Sequence, residues 1–293
     1  MRRGVALLIT LGVITTLITL IGISFSYLDK AKQNSTDMSA LIQANILYKD
    51  VSTVLGSLLD SKNSDTVIST LYLLPVVIQE DGGDFYMNIN CRPTSNGIDI
   101  NWLFFKNYKT KEKEFNLIDN MLGLIIDKYD IENGSKLMEL LYKAIDGEKT
   151  IYNIPSRIKE KKSINSEKQF NNILKEYQLQ TGDSKIFSVP WSSYISFVDK
   201  DSMIDSKYLS VNFISLLFNI ELEDVSESWI EGDSLVKFLQ DNDGDMSLYD
   251  KKLFSSSVKH MQCTTTYSYN SKSYRFSFNY TDKKVDNFEF QTQ

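Results

Sequence analysis

The hydrophobic pattern of the N-terminal region predicts one long helix. No charged residue occurs from Gly4 to Tyr27, so residues 5–27 are apolar on every side. Further on, apolar positions recur three and four residues apart, as in an amphipathic helix: Met38, Leu41, Ile42, Leu47, Tyr48, Val51, Val54, Leu55, Leu58 and Leu59. We expect a helix from residue 5 to about residue 60 whose second part, residues 28–62, docks its stripe on a globular domain. A free stalk or a coiled coil would show the same stripe.

Alternating apolar and polar positions predict strands in two regions. Residues 85–91 alternate strictly, residues 92–97 have turn chemistry, and residues 98–102 alternate again, which together predict a β-hairpin. Near the C-terminus, alternation predicts a meander with strands at residues 261–269, 274–280 and 285–290.

The region between these strands has helical spacing instead. Apolar residues three and four apart predict helices at residues 115–127, 136–145, 170–177 and 208–218. A sheet that is interrupted by helices indicates an α+β fold with an inserted helical domain. We place the sheet domain at residues 63–102 and 240–293, and the insertion at residues 103–239.

The charge-free span is long enough to cross a membrane. A bilayer core needs about 20 apolar residues, because a helix rises about 1.5 Å per residue. Arg2 and Arg3 precede the span. The positive-inside bias therefore predicts a single-pass inner-membrane protein with a cytoplasmic N-terminus, a periplasmic C-terminal domain and membrane lipid as a partner. A cleavable secretory signal is disfavoured, since residues 23–31 contain no small-residue cleavage site.

Composition narrows the chemistry that the chain can carry. The formal net charge of -6 gives no basic surface of the kind that nucleic acid requires. One histidine, His260, and two cysteines are too few for histidine-rich zinc sites or four-cysteine clusters. The sequence contains no P-loop, dinucleotide-binding glycine motif or serine-nucleophile elbow. These features predict a protein that is not an enzyme and does not bind nucleic acid.

The abrupt change from charge to apolar residues at the N-terminus resembles a type IV prepilin leader. Residues 2–8 read R-R-G-V-A-L-L, passing from arginine to glycine and then directly into the apolar run. The resemblance implies that residues 1–4 are a leader, that a prepilin peptidase cuts between Gly4 and Val5, and that Val5 is then N-methylated. Most of the superfamily has glutamate where this chain has Ile9, whereas the minor pseudopilin K family of type II secretion lacks it.

The ectodomain is similar to the same family, whose members carry a large helical insertion in a pilin-like α/β fold. Residues 99–103, D-I-N-W-L, resemble the N-L-N-x-L motif that opens the insertion. The resemblance implies a minor pseudopilin at the tip of the pseudopilus that initiates assembly and caps the filament during protein export. It also implies the partners: minor pseudopilins I and J, the major pseudopilin, the prepilin peptidase and the inner-membrane secretion platform. A minor pilin of a type IV pilus, or a signal-anchored periplasmic sensor or binding domain, would share much of this pattern.

Four aspartates before the C-terminal strands form a candidate Ca²⁺ site. Residues 241–245, D-N-D-G-D, place side-chain oxygens at alternate positions around a glycine. An EF-hand would need glycine and glutamate where this chain has Met246 and Lys252. A solvated acidic loop is the alternative, although the family that the chain resembles binds calcium. The candidate ligands are Asp241, Asp243, Asp245 and Asp250.

The two cysteines are candidates for a disulfide. Cys91 and Cys263 both fall on the apolar faces of their predicted strands, in a domain expected in an oxidising periplasm. A bridge requires Cα atoms within about 7 Å, and the sequence does not fix that distance. Two buried free thiols that pack as small hydrophobic side chains are the alternative.

Overall fold

The structure, a computed structural model, describes residues 2–60, 64–80, 85–146, 163–198, 203–269, 272–281 and 284–292, without the side chains of residues 2–21, 146, 286 and 292. In these ranges, no helix combines the length and the apolar character that crossing a membrane requires. Most of the predicted membrane span, residues 5–27, lies outside the described side chains.

Along the chain, the long helix and a first sheet region are followed by a helical region and then by a second sheet region. In chain order they are α1 (Arg2–Leu59), α2 (Ser64–Leu73), β1 (Val76–Gln79), β2 (Tyr86–Pro93), β3 (Ile98–Asp99), α3 (Glu112–Lys128), α4 (Gly134–Asp146), α5 (Glu167–Thr181), β4 (Ile195–Ser196), β5 (Ile204–Asp205), α6 (Val211–Phe218), α7 (Leu222–Ser228), α8 (Leu235–Asp241), β6 (Phe254–Ser255), β7 (His260–Tyr269), β8 (Lys272–Thr281) and β9 (Lys284–Thr292). The long helix and the C-terminal meander are as the sequence predicts.

One core lies between α1 and an antiparallel sheet with the strand order β1-β2-β7-β8-β9. The helix contributes a stripe of small and branched residues, and the sheet contributes one face of each central strand. Each fully buried large apolar side chain stabilises the fold by about 1.5 to 3 kcal/mol relative to exposure. The principal members are Ala40, Ala44, Leu47, Val51, Leu55, Leu59, Met87, Ile89, Met261, Tyr267, Phe276 and Phe278.

A second core fills the helical insertion and runs from Ile98 to Phe254. All three tryptophans are buried in it, namely Trp102, Trp191 and Trp229. Its loops are connected by two short pairs of parallel strands, β3 with β4 and β5 with β6. Gly97 permits the first pair, because a Cβ there would lie 2.8 Å from the carbonyl oxygen of Tyr194.

The insertion leaves and re-enters the sheet at adjacent points. The backbone N–H of Thr94 donates to the carbonyl oxygen of His260 at 3.1 Å. The ammonium of the neighbouring Lys259 donates to the carbonyl oxygen of Leu59 at 2.5 Å. The insertion is therefore attached at the C-terminal end of α1.

The predicted hairpin of residues 85–102 is wrong. β2 pairs with β1 and β7, whereas Ile98 and Asp99 pair in parallel with β4 in the insertion. Residues 100–107 form a 3-10 helix that the Asp99 carboxylate caps by accepting from the N–H of Asn101 at 2.8 Å. The alternation at residues 98–102 thus reflects burial in the second core rather than a strand of the sheet.

Candidate assembly surfaces

Two tyrosine hydroxyls of the sheet donate hydrogen bonds to residues of α1. Tyr267, fully buried in β7, donates to the carbonyl oxygen of Ala40. Tyr274 in β8 donates to the Asp37 carboxylate at 3.0 Å. Burial of the Tyr267 ring raises the pKa of its hydroxyl, which therefore stays protonated and donating. These bonds fix which face of α1 meets the sheet.

The opposite face of α1 carries a second apolar stripe that the sheet does not cover. Several residues that the sequence analysis assigned to a single stripe belong to it, because the helix is apolar on two sides. Contiguous exposed apolar surface is typical of an interaction site, and on a long helix it suits packing against other helices. Its members, each at least 42% exposed, are Met38, Ile42, Ile46, Val54 and Leu58. Exposed Ile23, Phe25 and Leu28 lie nearer the N-terminus, where α1 is exposed on every side.

The predicted processing site lies at the start of this helix. Gly4 and Val5 belong to the first turns of α1, and their side chains are outside the described part of the chain. The cleavage and methylation of this site remain predictions.

The aspartate segment is organised by its own backbone contacts. Asp245 accepts from the N–H of Ser247 at 2.8 Å, and the hydrogen bonds from Ser247 lower the pKa of this exposed carboxyl. Asp250 accepts from the Lys113 ammonium and from the N–H of Lys252, and the Lys113 bond is the main reason that its pKa is lowered. Asp245 and Asp250 thus have separate partners.

Asp241, Asp243 and Gly244 of this segment also have local structural roles. Asp241 ends α8, and Asp243 adopts a left-handed backbone with φ 52°. Gly244 packs closely, since a Cβ there would lie 2.8 Å from a methyl carbon of Leu239 and 2.9 Å from one of Ile220, and those two side-chain ends would have to shift. Within the described ranges, the structure brings no three acidic, histidine or cysteine side chains together as a metal site. Calcium binding stays a prediction.

Cys91 and Cys263 occupy directly opposite positions on β2 and β7 and form a disulfide. Their Cα atoms are 4.0 Å apart, and both side chains are almost completely buried. The bridge lies on the face of the sheet that packs against α1. It joins the two central strands that the insertion separates in sequence by 172 residues.

A buried carboxyl that sequence reasoning missed lies where the two cores meet. Asp205 is 2% exposed, its N–H donates to the carbonyl oxygen of Ser95 at 2.8 Å, and one of its carboxylate oxygens accepts from the N–H of Lys207 at 3.1 Å. The Ser95 hydroxyl in turn lies 2.8 Å from Nδ1 of the buried His260. Burial raises the pKa of Asp205 to about 7, although the Lys207 backbone bond and ammonium act in the opposite direction.

The same junction includes contacts from the helix that precedes the sheet. The rings of Tyr72 in α2 and Tyr208 meet edge to face with centroids 4.7 Å apart. The Lys207 ammonium pairs with the exposed Asp65 carboxylate at 2.9 Å. The aromatic pair packs the base of the insertion against the sheet domain, whereas the exposed ion pair contributes little.

A long helix docked on an antiparallel sheet, with a large helical insertion between two central strands, defines a pilin-like α+β fold. No protein-family model matches the chain, and no curated protein matches it by sequence. Among solved structures, it is similar to a chain of the GspK-GspI-GspJ complex from the enterotoxigenic Escherichia coli type 2 secretion system, with 10% identity and a TM-score of 0.54. The match covers 88% of this chain and 99% of that chain. The resemblance to the minor pseudopilin K family is thus confirmed at the level of fold.

Proposed function

We propose that the chain is a minor pseudopilin of a type II secretion system that lies at the tip of the pseudopilus, initiates its assembly and caps it. The observation that carries this proposal is the fold shared with a chain of the GspK-GspI-GspJ complex over nearly the whole length of both chains. By this likeness, the two other minor pseudopilins, I and J, are its direct partners. Its role is mechanical, not catalytic, and it acts from the inner membrane and the periplasm.

The geometry of α1 supports a role in a filament. At about 1.5 Å per residue, its 58 residues extend about 87 Å. The exposed apolar stripe provides a surface for the helices of neighbouring subunits. The insertion is attached at the opposite end from the N-terminus, beside Leu59. Its bulk there would obstruct a further subunit stacked above, which supports the capping role.

We expect the mature chain to begin at N-methylated Val5. Intact mass and N-terminal sequencing of the membrane-extracted protein would test this, because processing removes residues 1–4 and adds one methyl group to the new terminus. A strain without the prepilin peptidase is the matched control and should yield the uncut chain. A start at Met1 or Arg2 in both strains would contradict the proposal and favour a plain signal anchor.

Removing the insertion is expected to lengthen the filament. Replacing residues 96–258 with a short Gly-Ser linker is compatible with the sheet, because Thr94 and His260 are hydrogen-bonded neighbours. The deletion also uncovers Tyr72, so a full chain carrying Tyr208→Ala is the matched control and should keep the normal length. Electron microscopy gives the lengths. Unchanged filaments that contain the deletion subunit would overturn the capping role.

A further inference from the structure

The edge strand β1 is the most apolar uncovered part of the sheet. Its four residues are all exposed, and β1 is the outermost strand in the order β1-β2-β7-β8-β9. Exposed Leu73 and Leu74 precede it, at 72% and 63%, so the six residues from 73 to 78, L-L-P-V-V-I, form an uncharged apolar run. Val77 within this run is 52% exposed.

The pairing register shows which backbone groups face outward. Glu80 lies opposite Phe85, and its N–H donates to the Phe85 carbonyl oxygen at 3.3 Å. Because antiparallel pairs alternate between bonded and non-bonded positions, Ile78 and Val76 also direct their N–H and C=O groups toward β2. Val77 and Gln79 therefore direct theirs away from the sheet. Among the described residues, no strand pairs with that side of β1.

The two edges of the sheet differ in how they resist unwanted pairing. Natural edge strands are usually protected by charged residues. The opposite edge, β9, follows this rule with exposed Lys284 and Glu289. By contrast, no charge occurs at residues 66–79, a range that includes all of β1. β1 is short and follows Pro75, which also limit edge pairing, but its edge carries no charge. Outward backbone groups with flanking apolar side chains are what strand addition uses.

We propose that the open edge of β1 binds an extended strand from another minor pseudopilin, which joins the sheet beside Val77 and Gln79. This inference rests on the proposed function, since that function supplies partner chains with pilin-like sheets. In an assembly that excludes water, an extended strand can pair with the N–H and C=O groups of both Val77 and Gln79. Leu73, Leu74 and Val77 would contact the apolar side chains of the added strand.

A proline substitution tests the backbone pairing. Proline has no N–H but is tolerated in an edge strand where the N–H faces solvent, so Val77→Pro should fold normally. We expect it to weaken binding of the full chain, in detergent, to the purified other two minor pseudopilins of the same system by at least about tenfold. Val77→Thr, which keeps the N–H and the strand propensity, is the matched control and should bind with little loss.

Amide hydrogen exchange tests the same inference without a substitution. In the complex, the Val77 and Gln79 amides should exchange at least about tenfold more slowly than in the free chain, whereas the Val76 and Ile78 amides are already bonded and should change less. If the complex forms but Val77→Pro binds normally and both outward amides stay unprotected, the strand-addition inference fails and the proposed function stands. If none of the chains forms a complex, the proposed function fails as well. Protection that requires only a second copy of this chain would also overturn the inference.

Discussion

Removing the Cys91–Cys263 disulfide is expected to lower the free energy of unfolding by about 5 kcal/mol in the chain-entropy model. The reason is the length of the closed loop, since the two cysteines are 172 residues apart. The bridge restricts the unfolded chain, and it also holds together β2 and β7 on either side of the insertion. The cross-link thus compensates for the entropy of bringing together strands that are distant in sequence.

Denaturant unfolding of the double variant Cys91→Ala/Cys263→Ala tests this expectation. Alanine avoids placing a buried hydroxyl at these sites but leaves a small cavity. Reduced wild-type protein keeps both sulfur atoms, so it separates the loss of the cross-link from the loss of packing. Tryptophan fluorescence reports the insertion, because all three tryptophans lie in its core, whereas tyrosine circular dichroism reports both cores. Equal midpoints for oxidised and reduced protein would show that the bridge does not stabilise the fold.

The elements that the sequence predicts well are those whose burial pattern is local. β7 alternates over residues 261–268 because one of its faces meets α1 and the other is more open to solvent. The second half of α1 likewise shows its helical period, although the period alone could not tell which of two apolar stripes meets the sheet. The buried stripe is distinguished by Ala40 and Ala44, whose small side chains permit close approach.

The elements that the sequence analysis missed depend on distant partners. Residues 98–102 look like a strand, but Ile98 pairs with Ile195 in the insertion, and no local pattern shows that contact. β1 was missed because its residues are apolar on both faces, so they do not alternate. Proline at position 75 separates it from α2 and is the one signal that could have indicated a boundary there.

For the candidate sites too, the sequence predicts features with a local pattern and misses those that depend on distant partners. The sequence places Cys91 and Cys263 on apolar faces, but only the antiparallel register of β2 and β7 sets them directly opposite each other. Conversely, the aspartate segment resembles a cation-binding loop in sequence, whereas in the structure Asp245 caps the 3-10 helix of residues 246–248. No local pattern shows that Asp205 is buried, because its burial results from the meeting of two cores.

Asp205 is expected to make the stability of the protein fall as the pH rises from about 4 to above 7. Its pKa is raised from 3.8 to about 7 in the folded chain, mainly by burial. A raised pKa means that the folded state holds a proton more tightly than the unfolded state does. The contribution of Asp205 is therefore complete below the unfolded pKa and is lost as the pH passes through the folded pKa. A difference of about three units corresponds to about 4 kcal/mol.

Unfolding free energies of the wild type and Asp205→Asn, measured from pH 4 to pH 8, test this expectation. The amide can still accept the hydrogen bond from the Lys207 N–H but does not ionise in this range. The unfolding free energy of the variant should therefore fall less steeply with rising pH than that of the wild type. Asp65→Asn is the matched control, because it removes a carboxylate that is largely exposed at the same junction. It should change the slope little. Parallel curves for the wild type and Asp205→Asn would mean that the carboxyl ionises without penalty, and that water reaches the junction between the two cores.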